Sequence, residues 1–480
     1  MERTERRWRA VHLLLVLGLN STSIVWGQES LLRHLMVETG LVAATADSLP
    51  LWLHANRLGM IDPGGTNGYV RVHAIASKHL GGTWQWEASV QLVGRRSPHQ
   101  TVFFPELYTE VASTWIRFWI GRRVYEIGET AGKLSMGSLG TGLNATPLPK
   151  VVLETPGFLT VPWTRGLLGV RAYLAHGWFD DPRHTRGAYL HQKFLYGRLQ
   201  LGKWRFYGGL VHDVQWGGTS PVYGPQPDGI DDWWRVFWGM GGAPDTPLPE
   251  QVYYQGNHLG IWDVGVKGQV GAINLHIYRH FLFNDKDGLK LKNPGDGLLG
   301  IALTFEKGTI SQVVYEYLYS KRQSGPIPPG PTVGRGGPGG QDNYYNHYIY
   351  RSGWTYYGRT ISNPLFFPYP NGQIVNADRI ANNRIVAHHV GLSGALPGIG
   401  HYVFKVTYSR NYGTYRARDA ARQEGVPYFY ENGPRQWSWY IALSRMLSEQ
   451  LTLRMAVARD QGRVYPRSTG VEVTLRWQGR

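Results

Sequence analysis

The chain has 480 residues, a formal net charge of +16, a hydrophobic fraction of 42%, a charged fraction of 18% and no cysteine. These values exclude a disordered polyelectrolyte and a disulfide-built scaffold or thiolate metal site. The 19 Trp and 29 Tyr point to surfaces where one end of a ring is dry and the other wet, as at a membrane boundary or a sugar-binding face. The basic residues are spread through strand-like runs, not gathered on one helix or tail. That argues against a nucleic-acid partner and for a positive lumen or a surface facing an acidic polymer.

Taken in order, Arg3, Arg6, Arg7 and Arg9 precede a short apolar run over residues 11–19 and a small residue at Gly27. This pattern predicts a secretory signal peptide over residues 1–27. The run is too short to be a spanning anchor, and no later segment has the roughly 18 uninterrupted apolar residues of a membrane helix. An exported chain of this kind enters a membrane only as a closed barrel. Residues 30–46 carry apolar side chains at helical spacing, which predicts a periplasmic helical segment over 28–48. Residues 49–57 (LPLWLHANR) then predict the first strand, so that the barrel occupies 49–480.

From there a period of two recurs. Trp84, Trp86, Ala88, Val90 and Leu92 oppose Gln85, Glu87, Ser89 and Gln91. Trp437, Trp439, Ile441 and Leu443 oppose Ser438, Tyr440 and Ser444, and Val471, Val473, Leu475 and Trp477 oppose Glu472, Thr474 and Arg476. Residues 171–178, 189–201 and 204–214 read as three meander strands, with a charged break at 179–187 and a tight turn at Gly202-Lys203. Short breaks at 81–82, 113–114, 202–203, 268–271, 307–308, 397–400 and 447–449 alternate with long ones at 124–164, 215–257, 284–297, 321–383 and 411–436. With both chain ends in the periplasm, this predicts an all-β fold: a closed antiparallel transmembrane β-barrel of about 18 strands with long extracellular loops. One of those strands falls within 133–156, and residues 351–367 stay in a loop. The loop over 321–383 contains a Pro/Gly-rich insertion at 325–341 that can form neither ladder nor helix.

Enzyme motifs are absent: there is no Gly-x-Ser-x-Gly, and the glycine-rich 135–142 lacks the Lys-Ser/Thr of a phosphate loop. Adjacent His388 and His389 face opposite sides of a strand and cannot chelate one metal. Asp180-Asp181 and Asp231-Asp232 are candidate carboxylate pairs or calcium ligands, though charged loop tips are the commoner use. No catalytic residue, metal or cofactor is expected. The richer pattern is aromatic residues mixed with Asp and Asn in the external loops: Trp216, Asp231, Asp232, Trp233 and Trp234, and Asn343, Tyr344, Tyr345, Trp354, Tyr356 and Tyr357. Rings cover the C–H faces of a pyranose while carboxylates and amides take its hydroxyls. Packing of the loops on one another is the ordinary use of any one of these rings; the set is the candidate polysaccharide-binding surface.

Several segments in order resemble the capsule-assembly Wzi family, in its Bacteroidetes-type branch. They are LPLWLHAN (49–56), NATPLPK (144–150), HGWFDD (176–181), LHQK (190–193), YGGL (207–210), QWGG (215–218), GNHLG (256–260), YEYLY (315–319), DNYYNHYIYRSGWTYYGR (342–359) and YSRNYGTY (408–415). The resemblance implies a non-enzymatic outer-membrane barrel of about eighteen strands with a small helical periplasmic portion. It implies a surface lectin that retains capsular polysaccharide or exopolysaccharide. It carries no binding residues with it, and the 325–341 insertion departs from it. The expectation is therefore a monomer in the outer membrane of a Gram-negative bacterium, surrounded by lipid and lipopolysaccharide and holding an acidic polysaccharide. A porin-like solute channel and a glycan-modifying enzyme are the rivals.

Overall fold

The computed structural model describes residues 31–479 apart from 245, 248–249, 252–253, 292 and 326–340. The expected signal peptide over 1–27 and most of the Pro/Gly-rich insertion lie outside the described residues. Eighteen antiparallel strands form one ring: β1 (Leu32–Ala44), β2 (Asn67–Gly81), β3 (Trp84–Arg96), β4 (Thr101–Ala112), β5 (Arg117–Arg122), β6 (Lys150–Glu154), β7 (Leu168–Trp178), β8 (Tyr189–Leu201), β9 (Trp204–Trp216), β10 (Asn257–Val270), β11 (Ile273–Phe283), β12 (Gly297–Phe305), β13 (Ile310–Tyr319), β14 (Ile385–Leu396), β15 (Gly400–Asn411), β16 (Arg435–Met446), β17 (Leu451–Gly462) and β18 (Ser468–Gln478). A two-residue piece, Leu159–Thr160, continues β6 along β7. β1 pairs with β2 on one side and with β18 on the other, Met36 opposite Gln478 through Ala44 opposite Gly470, and this closes the ring.

The exterior of this ring is apolar and its interior polar. On β18, Val471 and Val473 are each 48% exposed while Glu472 between them is 1% exposed. A soluble sandwich buries its apolar face; here the apolar side is the open one, as hydrocarbon requires. The predicted short turns all fall at one end, together with the longer link 155–167, and the long loops fall at the other, together with the short links 97–100 and 463–467; 351–367 stays out of the wall with only a two-residue ribbon. Among the described residues no helix is long and apolar enough to cross a membrane.

Two expectations at the start of the barrel are corrected. Residues 32–44 are the closing strand, not a periplasmic helix. Met36, Glu38, Gly40 and Val42 turn inward, where Glu38 meets Arg476 at 2.7 Å and Arg71 at 3.2 Å. At Gly40 a Cβ would lie 2.4 Å from the Tyr69 ring, so the close approach of β1 and β2 requires glycine. Helical spacing of the leucines misled because pairing on both edges outweighs local propensity. Residues 49–57, expected as the first strand, instead turn into the lumen. Leu51–His54 form the one-turn helix α1 after Pro50, with Leu51, Trp52 and Leu53 buried. The barrel therefore begins at residue 32, not 49.

The lumen is filled. Trp52 donates to Thr407 at 3.1 Å, the Leu51 amide to Asp460 at 3.0 Å, and Arg57 pairs with Glu472 at 2.6 Å. The loop between β5 and β6 enters next. Glu316 of β13 accepts from the Ser135 hydroxyl at 2.5 Å, the Met136 amide at 2.6 Å and the Tyr278 hydroxyl. Asp263 of β10 accepts from the Glu129 amide and from Tyr196, both at 2.7 Å. His389 donates to the Leu134 carbonyl at 2.8 Å and accepts from Thr407 at 2.7 Å, while His388 points outward, so the pair splits across the wall as its adjacency predicts. The buried wall carboxylates are thus acceptors for the plug backbone, which would otherwise be orphaned.

Candidate functional site

The loop from 320 to 384 lies over this plug and is fastened to it by side chains that sequence reasoning assigns to sugar binding. The Tyr345 hydroxyl donates to the Leu139 carbonyl at 2.9 Å, and Tyr344 donates to Asp296 at 3.0 Å. Asn343 donates to Asp378 at 2.8 Å and accepts from Asn383 at 2.7 Å. Tyr344, Tyr345, Trp354, Tyr356 and Trp216 are all buried. Tyr344, Tyr345, Trp354 and Tyr356 are taken up in packing central loop, plug and wall together, and Trp216 in packing the wall against the loop that follows it. Asp231, Asp232, Trp233 and Trp234 belong to helix α2 (Ile230–Trp238), which packs on the outer surface of β8 and β9, away from the mouth. Asp232 accepts from the Gly229 amide at 3.0 Å as a helix cap and from Gln255 at 3.0 Å.

Tyr357 is the one predicted ring left open at the mouth, 53% exposed. It sits in a two-residue turn between Thr355–Tyr356 and Arg359–Thr360, with φ of 44° at Tyr357 and 76° at Gly358. Two positive φ values match the twist of a tight hairpin, and they hold a bulky ring where it is ordinarily disfavoured. Beside it, Arg122 at the end of β5 donates to the Tyr356 hydroxyl at 2.7 Å, to the Pro147 carbonyl at 2.9 Å and to Asp180, which also accepts from Tyr356. The Tyr357 amide donates to Asp181 at 3.2 Å. Burial pushes the Asp181 carboxyl above its ordinary range, opposed by Arg183 at 3.3 Å. The result is an open ring flanked by a guanidinium and a half-exposed carboxylate whose positions are fixed by other bonds. Such a group offers a sugar one stacking face and both donors and acceptors.

A second group lies across the mouth, where helix α3 (Tyr415–Glu424) begins at the Thr414 cap. Lys321 sits 4.1 Å from the Tyr412 ring centre, and Arg384 and Arg418 lie 3.7 and 4.7 Å from that of Tyr415. Asp378 ties this helix to the central loop through Arg416 at 2.7 Å and Asn343 at 2.8 Å, and burial pushes its carboxyl up to about 6. These cations stacked on tyrosines were missed in the sequence because they come from three separated segments. Beneath the mouth, the cavity lined by Tyr125, Thr141, Leu148, Trp354 and Ile361 has a volume of about 20 Å³, on the scale of a single water. Among the described residues no three acidic, histidine or cysteine side chains converge to hold a metal ion.

No family model and no curated protein matches the chain. Among solved structures it is similar to Wzi of Escherichia coli, described as an outer-membrane protein involved in group 1 capsule assembly and a carbohydrate-binding β-barrel. The TM-score is 0.57 at 12% identity, over 92% of this chain and 83% of that one. OccK5 (OpdH) of Pseudomonas aeruginosa matches with a TM-score of 0.46 at 9% identity, over 93% of this chain and 97% of that one. OpdL of the same organism gives 0.46 at 7%, over 93% and 98%. What the chain shares with Wzi at this identity is the fold, an outer-membrane β-barrel.

Proposed function

We propose that this outer-membrane barrel binds polysaccharide at its extracellular face, holding capsular or extracellular polymer at the cell surface as a monomer and without chemical turnover. It reaches the membrane through the signal peptide over residues 1–27. The observation that carries the reading is the plug: the loop between β5 and β6 lies across the lumen, its backbone bonded to buried wall carboxylates, where a channel needs a continuous aqueous path. Binding therefore belongs to the rim, where Tyr357, Arg122 and Asp180 offer a sugar-sized contact. The Lys321, Arg384 and Arg418 cluster favours an acidic polymer. Many weak contacts along a repeating chain supply avidity without a deep pocket. The described character of Wzi as a carbohydrate-binding barrel supports the same direction.

Deletion of the gene tests this directly. Polymer of unchanged length and acylation, still made but shed into the medium, is the expected result; loss of synthesis or altered polymer would overturn it. Steady single-channel conductance in planar bilayers would favour a porin instead. Binding undiminished at high salt would remove the acidic preference.

A further inference from the structure

The loop between β9 and β10 touches the central loop, Tyr223 meeting Tyr348 at 5.6 Å and the Gly217 carbonyl accepting from Tyr350 at 3.2 Å. Its helix α2 lies against the outside of the wall. On β8, Leu190, Gln192 and Phe194 face the lumen, so His191 and Lys193 face out; on β9, Val211, Asp213 and Gln215 face in, so His212, Val214 and Trp216 face out. These outward groups are nevertheless covered. Trp233 and Phe237 each meet the His191 ring at 5.5 Å, and the Lys193 ammonium donates to the Phe237 carbonyl and lies 4.3 Å from that ring's centre. Val236 is fully buried with Val214 and Trp216. Below them the same outer face is hydrocarbon-like, with Leu195, Phe206 and Val264 exposed. A lysine and several histidines at the upper edge of that band would meet lipid if α2 were absent.

At about 100° per residue the helix divides into three sectors. Trp233, Val236 and Phe237 take the wall. Asp231, Asp232 and Arg235 form a narrow polar arc. Between them Ile230, Trp234 and Trp238 make an apolar stripe at i, i+4 and i+8, exposed by 71%, 48% and 68%, and Met240, just past the left-handed Gly239 cap, is 48% exposed. On the neighbouring strand β7 the outward Trp178 is exposed as well. One arc dry against protein, one apolar and open, one polar is the profile of a helix lying at a membrane surface, and indoles favour that depth.

We propose that α2 is an interfacial anchor: Ile230, Trp234, Trp238 and Met240 seat in the acyl–headgroup boundary of the outer leaflet, and the helix shields Lys193, His191 and His212 from hydrocarbon. The occupant is membrane lipid, not polysaccharide, and the inference stands on the barrel fold alone, independent of the proposed binding function.

The absence of cysteine makes the test clean. Full-length chains carrying Trp234→Cys, Trp238→Cys or Asp231→Cys are labelled with an environment-sensitive fluorophore and inserted into phosphatidylcholine vesicles, with or without nitroxide-labelled phosphatidylcholine. At 234 and 238 the lipid-borne nitroxide should remove at least about half of the emission and aqueous iodide little, with the reverse order at 231. Equal iodide quenching at all three sites, with no effect of the lipid nitroxide, overturns the proposal. So does protection at 234 and 238 that appears only when polysaccharide is added. Because the labelled tryptophans are exposed, retention of the heat-modifiable barrel band verifies folding of each variant.

Discussion

Replacing Glu316 by alanine tests whether the plug is held by the wall. The carboxylate accepts from the Ser135 hydroxyl, the Met136 amide and the Tyr278 hydroxyl. The amide is fixed and cannot find another acceptor, whereas both hydroxyls can rotate. Losing a bond to a charged acceptor costs about 1.5–3 kcal/mol, and a buried orphaned donor about 1–3 kcal/mol. Taking the Met136 amide alone at the upper end of either range, with the hydroxyls rotating to other acceptors, gives about 3 kcal/mol of lost attachment, or roughly a hundredfold in the local opening constant. The assay is amide hydrogen exchange read over residues 134–140 in detergent, with the barrel strands as internal reference. The expected result is exchange about a hundredfold faster in that segment with the wall unchanged, and Glu316→Gln falling between the variant and the parent. Exchange in 134–140 within about threefold of the parent would refute the argument that this carboxylate fastens the plug.

Truncation of the open ring by Tyr357→Ala, or of its neighbour by Arg122→Ala, should weaken polysaccharide binding about five- to thirtyfold in titration calorimetry while leaving the barrel intact; removal of a rim contact is worth about 1–2 kcal/mol. Tyr345→Phe removes the bonds to the Leu139 carbonyl and to the Ser362 hydroxyl, so unchanged affinity with faster exchange in the central loop is expected; a matching loss of affinity would put Tyr345 on the polymer instead. Burial pushes Glu250 up from 4.5 to about 7, opposed by the Gly256 amide. Its folded value exceeds its unfolded one, so its contribution to the order of loop 217–256 is whole below pH 4.5 and is lost as pH rises through about 7. Exchange of that loop, corrected for intrinsic rate, should quicken over this window, by at most the equivalent of about 3 kcal/mol, and Glu250→Gln should flatten the dependence. Gly40→Val should block closure, because its Cβ would lie 2.4 Å from Tyr69; a normal yield of heat-modifiable barrel would contradict the stated contact.

The wall was legible because its signal is redundant. Val471, Glu472, Val473 and Thr474 alternate without exception, and each short turn confirms the strands on both sides. Residues 32–44 were not, because Gly40 and Glu38 make sense only once Tyr69, Arg71 and Arg476 are beside them. The loop aromatics show a different limit. Tyr356 and Tyr357 are neighbours of one type, yet one is buried and the other open, and the turn that separates them rests on a left-handed backbone that composition does not reveal. Arg122 looked like any strand-end arginine. Helix α2 carries a local signal that the assignment of 215–257 to a loop passes over: Ile230, Trp234 and Trp238 stand at helical spacing, with Gly229 before them, Asp231 and Asp232 in the first turn and Gly239 after.

The pairing of Leu32–Ala44 with Ser468–Gln478 makes the first and last strands of the ring share one seam. Until the last hairpin is in place, both margins of the growing sheet are raw, each offering unbonded amides and carbonyls to any neighbour. Joining them spans more than four hundred residues of intervening chain, so completion is a late and concerted event. Any interruption upstream of Ser468 is then expected to yield no shorter cylinder, only a sticky ribbon bound for quality-control proteases.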